Sequence, residues 1–282
     1  MKSKQKEAIS FDYSGFNTIA YQEWGPRHAS KVAFCVHGLT RNSHDFDFFA
    51  EKLAKRGWRV VCPDLPGRGD SGWLADASAY NLPNYVQHMA ALIARVNPLG
   101  GVYWVGTSLG GVIGMMLAGY PQSPVRKLVM NDIGPYVPAV GMKRIAGYVG
   151  LDPRFDSIEE VCAHLREKHP GLGPLTDDQW MYLARYFCKP AENGTLRLHY
   201  DPKIAQGFKN TEATDLWGLW HLVCCPVLAT RGGRSDVLPA DVAAHMQRTG
   251  PKADLIYWPE VAHAPLLMSD KQAMPVIEWL ER

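Results

Sequence analysis

The chain has 282 residues, of which 46% are hydrophobic and 21% are charged, a composition typical of a globular protein with room for one large α/β domain or a domain with an insertion. The 30 basic and 28 acidic residues leave a formal net charge of +2 and are scattered along the chain, so the charge argues against binding to nucleic acid. The sequence has neither an N-terminal signal core nor an apolar stretch long enough to cross a bilayer. We therefore expect a cytoplasmic protein that does not associate with membranes.

The six cysteines show no spacing typical of metal ligands. Cys35 and Cys62 lie within apolar strand-like segments, where a cysteine behaves as a small hydrophobic residue. The adjacent Cys224 and Cys225 are poorly placed to pair with each other or to chelate one ion. The cysteines are predicted to be reduced, buried thiols, and no metal or organic cofactor is implied.

Strand-like and helical segments alternate through the first half of the chain. Two N-terminal segments, 11–14 and 16–25, are predicted to pair as an antiparallel hairpin. Apolar strands are then predicted at 31–36, 58–62, 102–105 and 125–131. Helices are predicted between them at 43–56, 84–96 and 112–120. This alternation indicates an α/β fold with a parallel sheet and helices on both of its faces.

The alternation stops between residues 136 and 223, where no strand-like run is found. Amphipathic stretches at 142–149, 157–168, 177–188 and 212–222 predict a helical insertion over the sheet. Tyr136, Trp217 and Trp220 are candidate pocket residues in this insertion, which would act as a lid; the alternative is that they only hold the insertion to the domain. Strands at 226–230 and 254–258 and helices at 239–248 and 271–282 resume the alternation. The predicted division is therefore a core of 1–135 and 224–282 with an inserted cap of 136–223.

A serine stands between a predicted strand and a predicted helix in the segment Gly106-Thr107-Ser108-Leu109-Gly110-Gly111. A tight strand–turn–helix forces its central residue into a strained backbone conformation, and glycines two positions to either side make room for it. The hydroxyl of Ser108 would then project from the sheet above a helix N-terminus, where negative charge is favoured. This context predicts a nucleophile elbow with Ser108 as the nucleophile.

A serine hydroxyl needs a neighbouring base, and a histidine oriented by a carboxylate meets that need. The candidates should follow strands of the parallel sheet, because the carboxyl ends of those strands share one edge. His263 and Asp236 both follow predicted strands in this way, and they are the predicted base and acid. Asp132, directly after the strand at 125–131, is the alternative acid.

The segment His37-Gly38-Leu39 follows the strand at 31–36, where one donor of an oxyanion hole is expected. The backbone amides of Leu39 and Leu109 are the predicted donors. His37 is expected to shape this loop rather than to exchange protons. His37 and Gly38 are also candidate pocket residues.

Together these motifs resemble the α/β-hydrolase fold superfamily. The resemblance rests on His37-Gly38, on Asp64-x-Pro-Gly-x-Gly-x-Ser71, on Gly106-x-Ser108-x-Gly110-Gly111, and on Asp236 and His263, and it covers the chain from about residue 11 onward. It implies a mostly parallel eight-stranded sheet with a helical cap inserted after the sixth strand. The capped branch includes bacterial carboxylesterases, lactonases, meta-cleavage product hydrolases and cofactor-free haloperoxidases.

The motifs lead to the hypothesis of a serine hydrolase that cleaves small or medium, largely apolar carboxylic esters through an acyl-enzyme. A lactonase or a C–C bond hydrolase with the same triad is the alternative, and a non-catalytic ligand-binding protein on the same fold is a further one. The resemblance implies an aspartate at the nucleophile position of dehalogenases and epoxide hydrolases. Ser108 at that position therefore argues against both classes. The stretch Leu39-Thr40-Arg41-Asn42 departs from the Gly-Pro-Gly common in C–C hydrolases. The expected partner is a small-molecule ester, and both a monomer and a homodimer are compatible with the sequence.

Overall fold

A computed structural model describes residues 2–208 and 211–282. Met1, Lys209 and Asn210 lie outside the described residues, so the predicted ranges 1–135 and 136–223 each include undescribed positions.

The described residues form one eight-stranded sheet. Its strands are β1 Lys4–Asp12, β2 Gly15–Trp24, β3 Val32–Val36, β4 Arg59–Pro63, β5 Val102–Thr107, β6 Val125–Asn131, β7 Val227–Gly232 and β8 Asp254–Trp258. They lie in the order β1-β2-β4-β3-β5-β6-β7-β8. The hairpin β1–β2 and the pair β2–β4 are antiparallel, and the other neighbours are parallel. The mostly parallel sheet and the α/β class are confirmed. An antiparallel hairpin also forms, but its first strand is Lys4–Asp12 rather than the predicted 11–14, and residues 13–14 form the turn.

Helices cover both faces of this sheet. The helices outside the segment 136–223 are α1 Asp47–Lys55, α2 Leu82–Val96, α3 Leu109–Gly119, α8 Ala240–Met246 and α9 Asp270–Glu281. Strand β3 has apolar side chains on both of its faces. Val32, Phe34 and Val36 pack in a hydrophobic cluster with α2 and α3, whereas Ala33 and Cys35 pack in a second cluster with α1 and α9. A strand that is buried on both faces reads as a continuous apolar run, which is the pattern seen in the sequence.

The segment 136–223 is helical, with strands that the sequence did not indicate. Its helices are α4 Ala139–Ala146, α5 Ile158–Lys168, α6 Asp177–Phe187 and α7 Trp217–Trp220. Three short strands, Arg154–Phe155, Cys188–Pro190 and Leu196–Leu198, form an antiparallel sheet, and Tyr136–Val137 pairs with Thr214–Asp215. The expectation that this segment contains no strand was wrong, because strands of two or three residues are too short to show an alternating pattern.

Side-chain caps fix where several helices begin. Asn81 accepts a hydrogen bond from the backbone N–H of Asn84 at the start of α2, and Ser157 does the same for Glu160 at the start of α5. At α6, Thr176 and Gln179 form a reciprocal capping box. These caps satisfy N–H groups that a helix cannot pair internally, and so they set the helix boundaries.

Candidate active site

Ser108 stands at the turn between β5 and α3, with a backbone φ of 51°. A non-glycine residue rarely adopts this left-handed region, so the surrounding structure must hold it there. A side chain could not be placed at two nearby glycines: a Cβ on Gly106 would lie 2.2 Å from the carbonyl oxygen of Gly110, and a Cβ on Gly110 would lie 2.1 Å from that of Val36. The glycines therefore allow the close strand–helix contact that projects Ser108 from the sheet, as the sequence predicts.

Ser108, His263 and Asp132 form a continuous hydrogen-bonded chain. The distance from Ser108 Oγ to His263 Nε2 is 2.9 Å, and that from His263 Nδ1 to Asp132 Oδ2 is 2.8 Å. An ionised carboxylate only accepts hydrogen bonds, so the Nδ1 proton faces Asp132 and leaves Nε2 free to accept from the serine hydroxyl. This is the tautomer in which a histidine can remove a proton from a serine.

Asp132 is fully buried, and its carboxylate is surrounded by donors. Its Oδ1 accepts a hydrogen bond from the backbone N–H of Gly232 at 2.7 Å, and its Oδ2 accepts one from the hydroxyl of Ser235 at 2.7 Å in addition to that from His263. A buried carboxylate is tolerated when hydrogen bonds replace its hydration. These contacts hold the carboxylate at the end of β6, facing His263.

Asp236, the acid predicted from the sequence, does not contact His263. Its carboxylate forms two hydrogen bonds with Arg144, from Nε at 2.5 Å and from Nη2 at 2.9 Å. Partial burial favours the protonated form, but the bonds and charge of Arg144 outweigh it and lower the pKa of Asp236. The prediction is corrected in favour of Asp132, which directly follows β6 and bonds His263, whereas Asp236 lies four residues beyond β7 and bonds Arg144 instead.

Asn131 joins the three loops that carry this chain of residues. Its Nδ2 donates to Thr107 Oγ1 at 2.9 Å and to the carbonyl oxygen of Pro265 at 2.7 Å, while its Oδ1 accepts from Thr230 Oγ1 at 2.6 Å. Its own carbonyl oxygen accepts from the N–H of Ser108. The sequence motifs do not point to Asn131; the available signal was a polar side chain at the end of an otherwise apolar strand.

The two predicted oxyanion-hole donors border the serine. Leu109 is the first residue of α3, so its N–H has no carbonyl partner one turn earlier in the helix. Leu39 lines the same two cavities as Ser108. Both positions are compatible with donation to a carbonyl oxygen bound beside Ser108.

His37 is buried and shapes the loop that contains Leu39. The N–H of Leu65 donates to His37 Nε2 at 2.9 Å, so the ring proton lies on Nδ1, 2.6 Å from the carbonyl oxygen of Gly38. Burial lowers the pKa of His37 to about 3, and the nearby charges of Arg41 and Arg68 act in the same direction, so the ring is neutral. It therefore fixes the peptide group whose N–H belongs to Leu39.

Two cavities meet at Ser108. One has a volume of about 390 Å³ and is lined mainly by apolar side chains, including Val112, Met142, Ile145 and Leu216. The other is a small cleft of about 50 Å³ that is lined by His263 and by several polar side chains. An apolar cavity with a few convergent polar groups is the usual form of a small-molecule site.

The predicted pocket residues are mostly placed elsewhere. Gly38 lines the small cleft, but His37, Tyr136, Trp217 and Trp220 line neither cavity. Trp220 is fully buried, and its Nε1 donates to the carbonyl oxygen of Thr249. These positions agree better with the alternative prediction, in which Tyr136, Trp217 and Trp220 pack within the fold.

Among residues 2–208 and 211–282, no group of three or more His, Cys, Asp or Glu side chains is arranged to hold a metal ion. No helix in the part of the chain that the structure describes is long and apolar enough to cross a membrane.

Comparison with known proteins agrees with this architecture. Residues 34–153 match a family described by the α/β hydrolase fold. A 3-hydroxybutyrate-oligomer hydrolase of Cupriavidus necator is 42% identical over 271 residues, which cover 92% of this chain and 91% of that protein. The chain belongs to the α/β hydrolase family.

Solved structures of α/β hydrolases superpose on nearly the whole chain. A putative hydrolase from Rickettsia typhi gives a TM-score of 0.92 at 30% identity, covering 100% of this chain and 99% of that one. An α/β hydrolase from Novosphingobium aromaticivorans gives a TM-score of 0.87 at 32% identity, with the same coverage. The hydrolase fold and the family resemblance predicted from the motifs are thereby confirmed.

Proposed function

We propose that this hydrolase cleaves carboxylic esters by forming an acyl-enzyme on Ser108. The observation that carries the proposal is the hydrogen-bonded chain from Ser108 Oγ through the His263 ring to the buried carboxylate of Asp132. A serine, a histidine in the correct tautomer and an orienting carboxylate are the components of nucleophilic acyl transfer.

In the first half of the reaction, Ser108 Oγ attacks the ester carbonyl while His263 Nε2 takes the hydroxyl proton. The amides of Leu39 and Leu109 stabilise the oxyanion, and Asp132 stabilises the imidazolium. The bond between the acyl carbon and the alcohol oxygen then breaks, and His263 gives its proton to the leaving alcohol.

In the second half, water attacks the acyl-enzyme with His263 as its base. The bond between the acyl carbon and Ser108 Oγ breaks, the carboxylic acid leaves, and the proton returns to Ser108. The net reaction is one ester and one water converted to one acid and one alcohol, with the enzyme restored.

The substrate class follows from the larger cavity and from the relative. The apolar cavity of about 390 Å³ is suited to a short or medium acyl chain. The relative from Cupriavidus necator is named for hydrolysis of 3-hydroxybutyrate oligomers, which are short esters of hydroxy acids. We therefore include such oligomers in the proposed substrate class.

The test is intact-protein mass spectrometry after treatment with a fluorophosphonate, together with turnover of 4-nitrophenyl butyrate. We expect a single adduct on the wild type and none on Ser108→Ala, with turnover lost in the same variant. Thr107→Ser changes the hydroxyl-bearing residue next to Ser108 and serves as the control. It should still form the fluorophosphonate adduct. Retained turnover in Ser108→Ala would contradict the proposal.

A substrate panel separates ester hydrolysis from the lactonase and C–C hydrolase alternatives. An acyclic ester, a γ-lactone and a ring-cleavage dienoate are compared at equal concentration, and we expect the ester to be turned over fastest. Tight retention of a ligand without turnover of any of the three would favour a binding protein instead.

A further inference from the structure

The two cavities at Ser108 differ in whether His263 forms part of their lining. His263 lines the small cleft but not the larger apolar cavity. In the proposed reaction, which this inference rests on, His263 gives a proton to the leaving alcohol, so the alcohol part of the ester must lie on the histidine side. The apolar cavity then holds the acyl part, and the cleft holds the alcohol part.

A buried guanidinium lines that cleft. The side chain of Arg41 is only 9% exposed, and its Nε and Nη2 donate to the carboxylate of Asp45 at 2.9 and 2.6 Å. The remaining nitrogen, Nη1, is buried and has no hydrogen-bond partner within the described ranges 2–208 and 211–282. Buried polar atoms are usually hydrogen-bonded, and leaving one on a cation without a partner costs free energy. We therefore expect a bound ligand to accept a hydrogen bond from Nη1.

The other charged groups around the cleft leave Arg41 as the available donor. Arg144 is paired with Asp236 just as Arg41 is paired with Asp45, but its side chain is 37% exposed, so it lacks the buried nitrogen without a partner that Arg41 has. Burial lowers the pKa of His169 to about 3, with Arg41 and Arg144 contributing, so that ring adds no charge. Among the described residues that line the cleft, Arg41 therefore offers the buried donor without a partner, and the carboxylate of Asp45 is already paired.

We propose that the cleft binds a carboxylate carried by the alcohol part of the ester, with Arg41 Nη1 as its donor. A cleft of about 50 Å³ holds only a few groups the size of water, since one water molecule needs about 10–15 Å³ measured in this way, so a carboxylate fits there but a long chain does not. The carboxylate must then lie only a few carbons from the ester oxygen. The preferred substrates are esters in which the alcohol is a short hydroxy acid with a free carboxyl group, and the enzyme cleaves the ester bond nearest to that carboxyl end.

The proposed reaction proceeds in the same way with this alcohol and needs no further reactant. The bond between the acyl carbon and the hydroxy-acid oxygen breaks, the acyl group passes to Ser108 Oγ, and the serine proton reaches the leaving oxygen through His263. The hydroxy acid leaves with its hydroxyl protonated and its carboxylate unchanged. Arg41 takes no part in bond making and acts on specificity alone.

The experiment compares two esters that differ in one charge: 3-(butanoyloxy)butanoate and its methyl ester. For the wild type we expect kcat/KM to favour the free acid by about 10- to 100-fold, mainly through KM, the range expected for one charge-assisted hydrogen bond. In Arg41→Gln this ratio should fall to near 1. Because that variant leaves the buried Asp45 carboxylate unpaired, the double variant R41Q/D45N repeats the measurement with both charges removed.

A second buried ion pair provides the matched control. Arg59 and Glu23 form a similar pair between β4 and β2, with side chains 11% and 5% exposed, and neither residue lines either cavity. The variant R59Q/E23Q should keep the preference for the free acid, so a general loss of stability can be told apart from loss of the carboxylate site.

The outcomes separate this proposal from the one on which it rests. Equal kcat/KM values for the two esters in the wild type, or a preference that survives in both Arg41 variants, would overturn the carboxylate site while leaving the ester hydrolase in place. Failure of the wild type to hydrolyse either ester, combined with no fluorophosphonate adduct, would overturn the proposed function and the carboxylate site with it.

Discussion

The carboxyl edge of the sheet and the segment 136–223 contribute differently to the site. At the sheet edge, Ser108, Asp132 and His263 are held by short loops and by buried hydrogen bonds to backbone and side-chain groups. The segment 136–223 supplies apolar walls, such as Met142 and Leu216, to the larger cavity, and it adds polar side chains such as Arg144 to the small cleft. The comparison teaches that the hydrogen-bonded groups lie at the sheet edge, whereas the walls of the two cavities come from both regions.

The largest expected effect comes from removing the hydroxyl of Ser108, the proposed nucleophile at the sheet edge. Ser108→Ala should lower kcat by about 10⁵- to 10⁶-fold, because the remaining catalysis comes only from binding and oxyanion stabilisation. Steady-state kinetics on 4-nitrophenyl butyrate measures the loss, and circular dichroism checks that the variant is folded. A loss below 100-fold in a folded variant would break the assignment of chemistry to this edge.

The two aspartates that follow β6 and β7 provide the sharpest contrast, because Asp132 is bonded to His263 whereas Asp236 is bonded to Arg144 of the segment 136–223. Asp132→Asn should lower kcat by about 10⁴-fold, because an amide can donate to Nδ1 and so stabilise the wrong tautomer of His263. Asp236→Asn, the matched change in the carboxylate bound to Arg144, should cost less than about 10-fold, the range of an exposed ion pair. The same kinetic assay applied to both variants measures the difference, and the reverse order would restore Asp236 as the acid.

A change in the wall of the apolar cavity should alter substrate choice more than rate. Leu216→Ala enlarges the cavity, so the preferred acyl chain of 4-nitrophenyl esters should lengthen, with a shift of about 10-fold in relative kcat/KM between butyrate and octanoate. Leu222→Ala, at an exposed leucine of the same segment, is the control and should leave the chain-length profile unchanged. An unaltered profile in Leu216→Ala would contradict the placement of the acyl chain.

The smallest expected effect is on stability, and it comes from His37, whose buried neutral ring makes the fold less stable in acid. The unfolded histidine takes up a proton below about pH 6.5, whereas the folded one stays neutral down to about pH 3. The unfolded state therefore binds more protons in this window, and the free energy of unfolding falls as the pH is lowered, by at most about 1.4 kcal/mol per pH unit from this group.

Urea unfolding of the wild type and His37→Gln at several pH values measures this contribution. The variant should be less stable at pH 7 and should lose less stability between pH 6.5 and pH 3, since glutamine does not titrate. Parallel pH curves for the two proteins would show that His37 is not kept neutral by the fold.

The sequence predicted the sheet edge well because local constraints determine it. The glycines around Ser108 and the position of His263 after a strand have a direct physical meaning that one sequence reveals. The acid was misassigned because Asp132 and Asp236 both follow strands, and the choice depends on where a four-residue loop turns in three dimensions. Chain order alone does not contain that information.

The pocket could not be predicted in the same way. Large aromatic residues such as Trp217 and Trp220 were natural candidates for its walls, yet Trp220 is buried away from both cavities. Aromatic side chains stabilise packing between elements as readily as they line pockets, so their type does not distinguish the two roles. The proposed role of Arg41 could not be predicted either, because it depends on a buried nitrogen without a hydrogen-bond partner among residues 2–208 and 211–282, which only the folded structure reveals.

The side chain of Asn131 has a consequence for protein engineering. One amide joins the loops that carry Ser108, Asp132 and His263, so the three loops form a unit that does not depend on the segment 136–223 for these bonds. A library that randomises the walls in that segment while keeping Asn131 should therefore yield many variants with intact chemistry and new substrate preferences. Randomising Asn131 itself should yield few active clones, whatever the substrate offered.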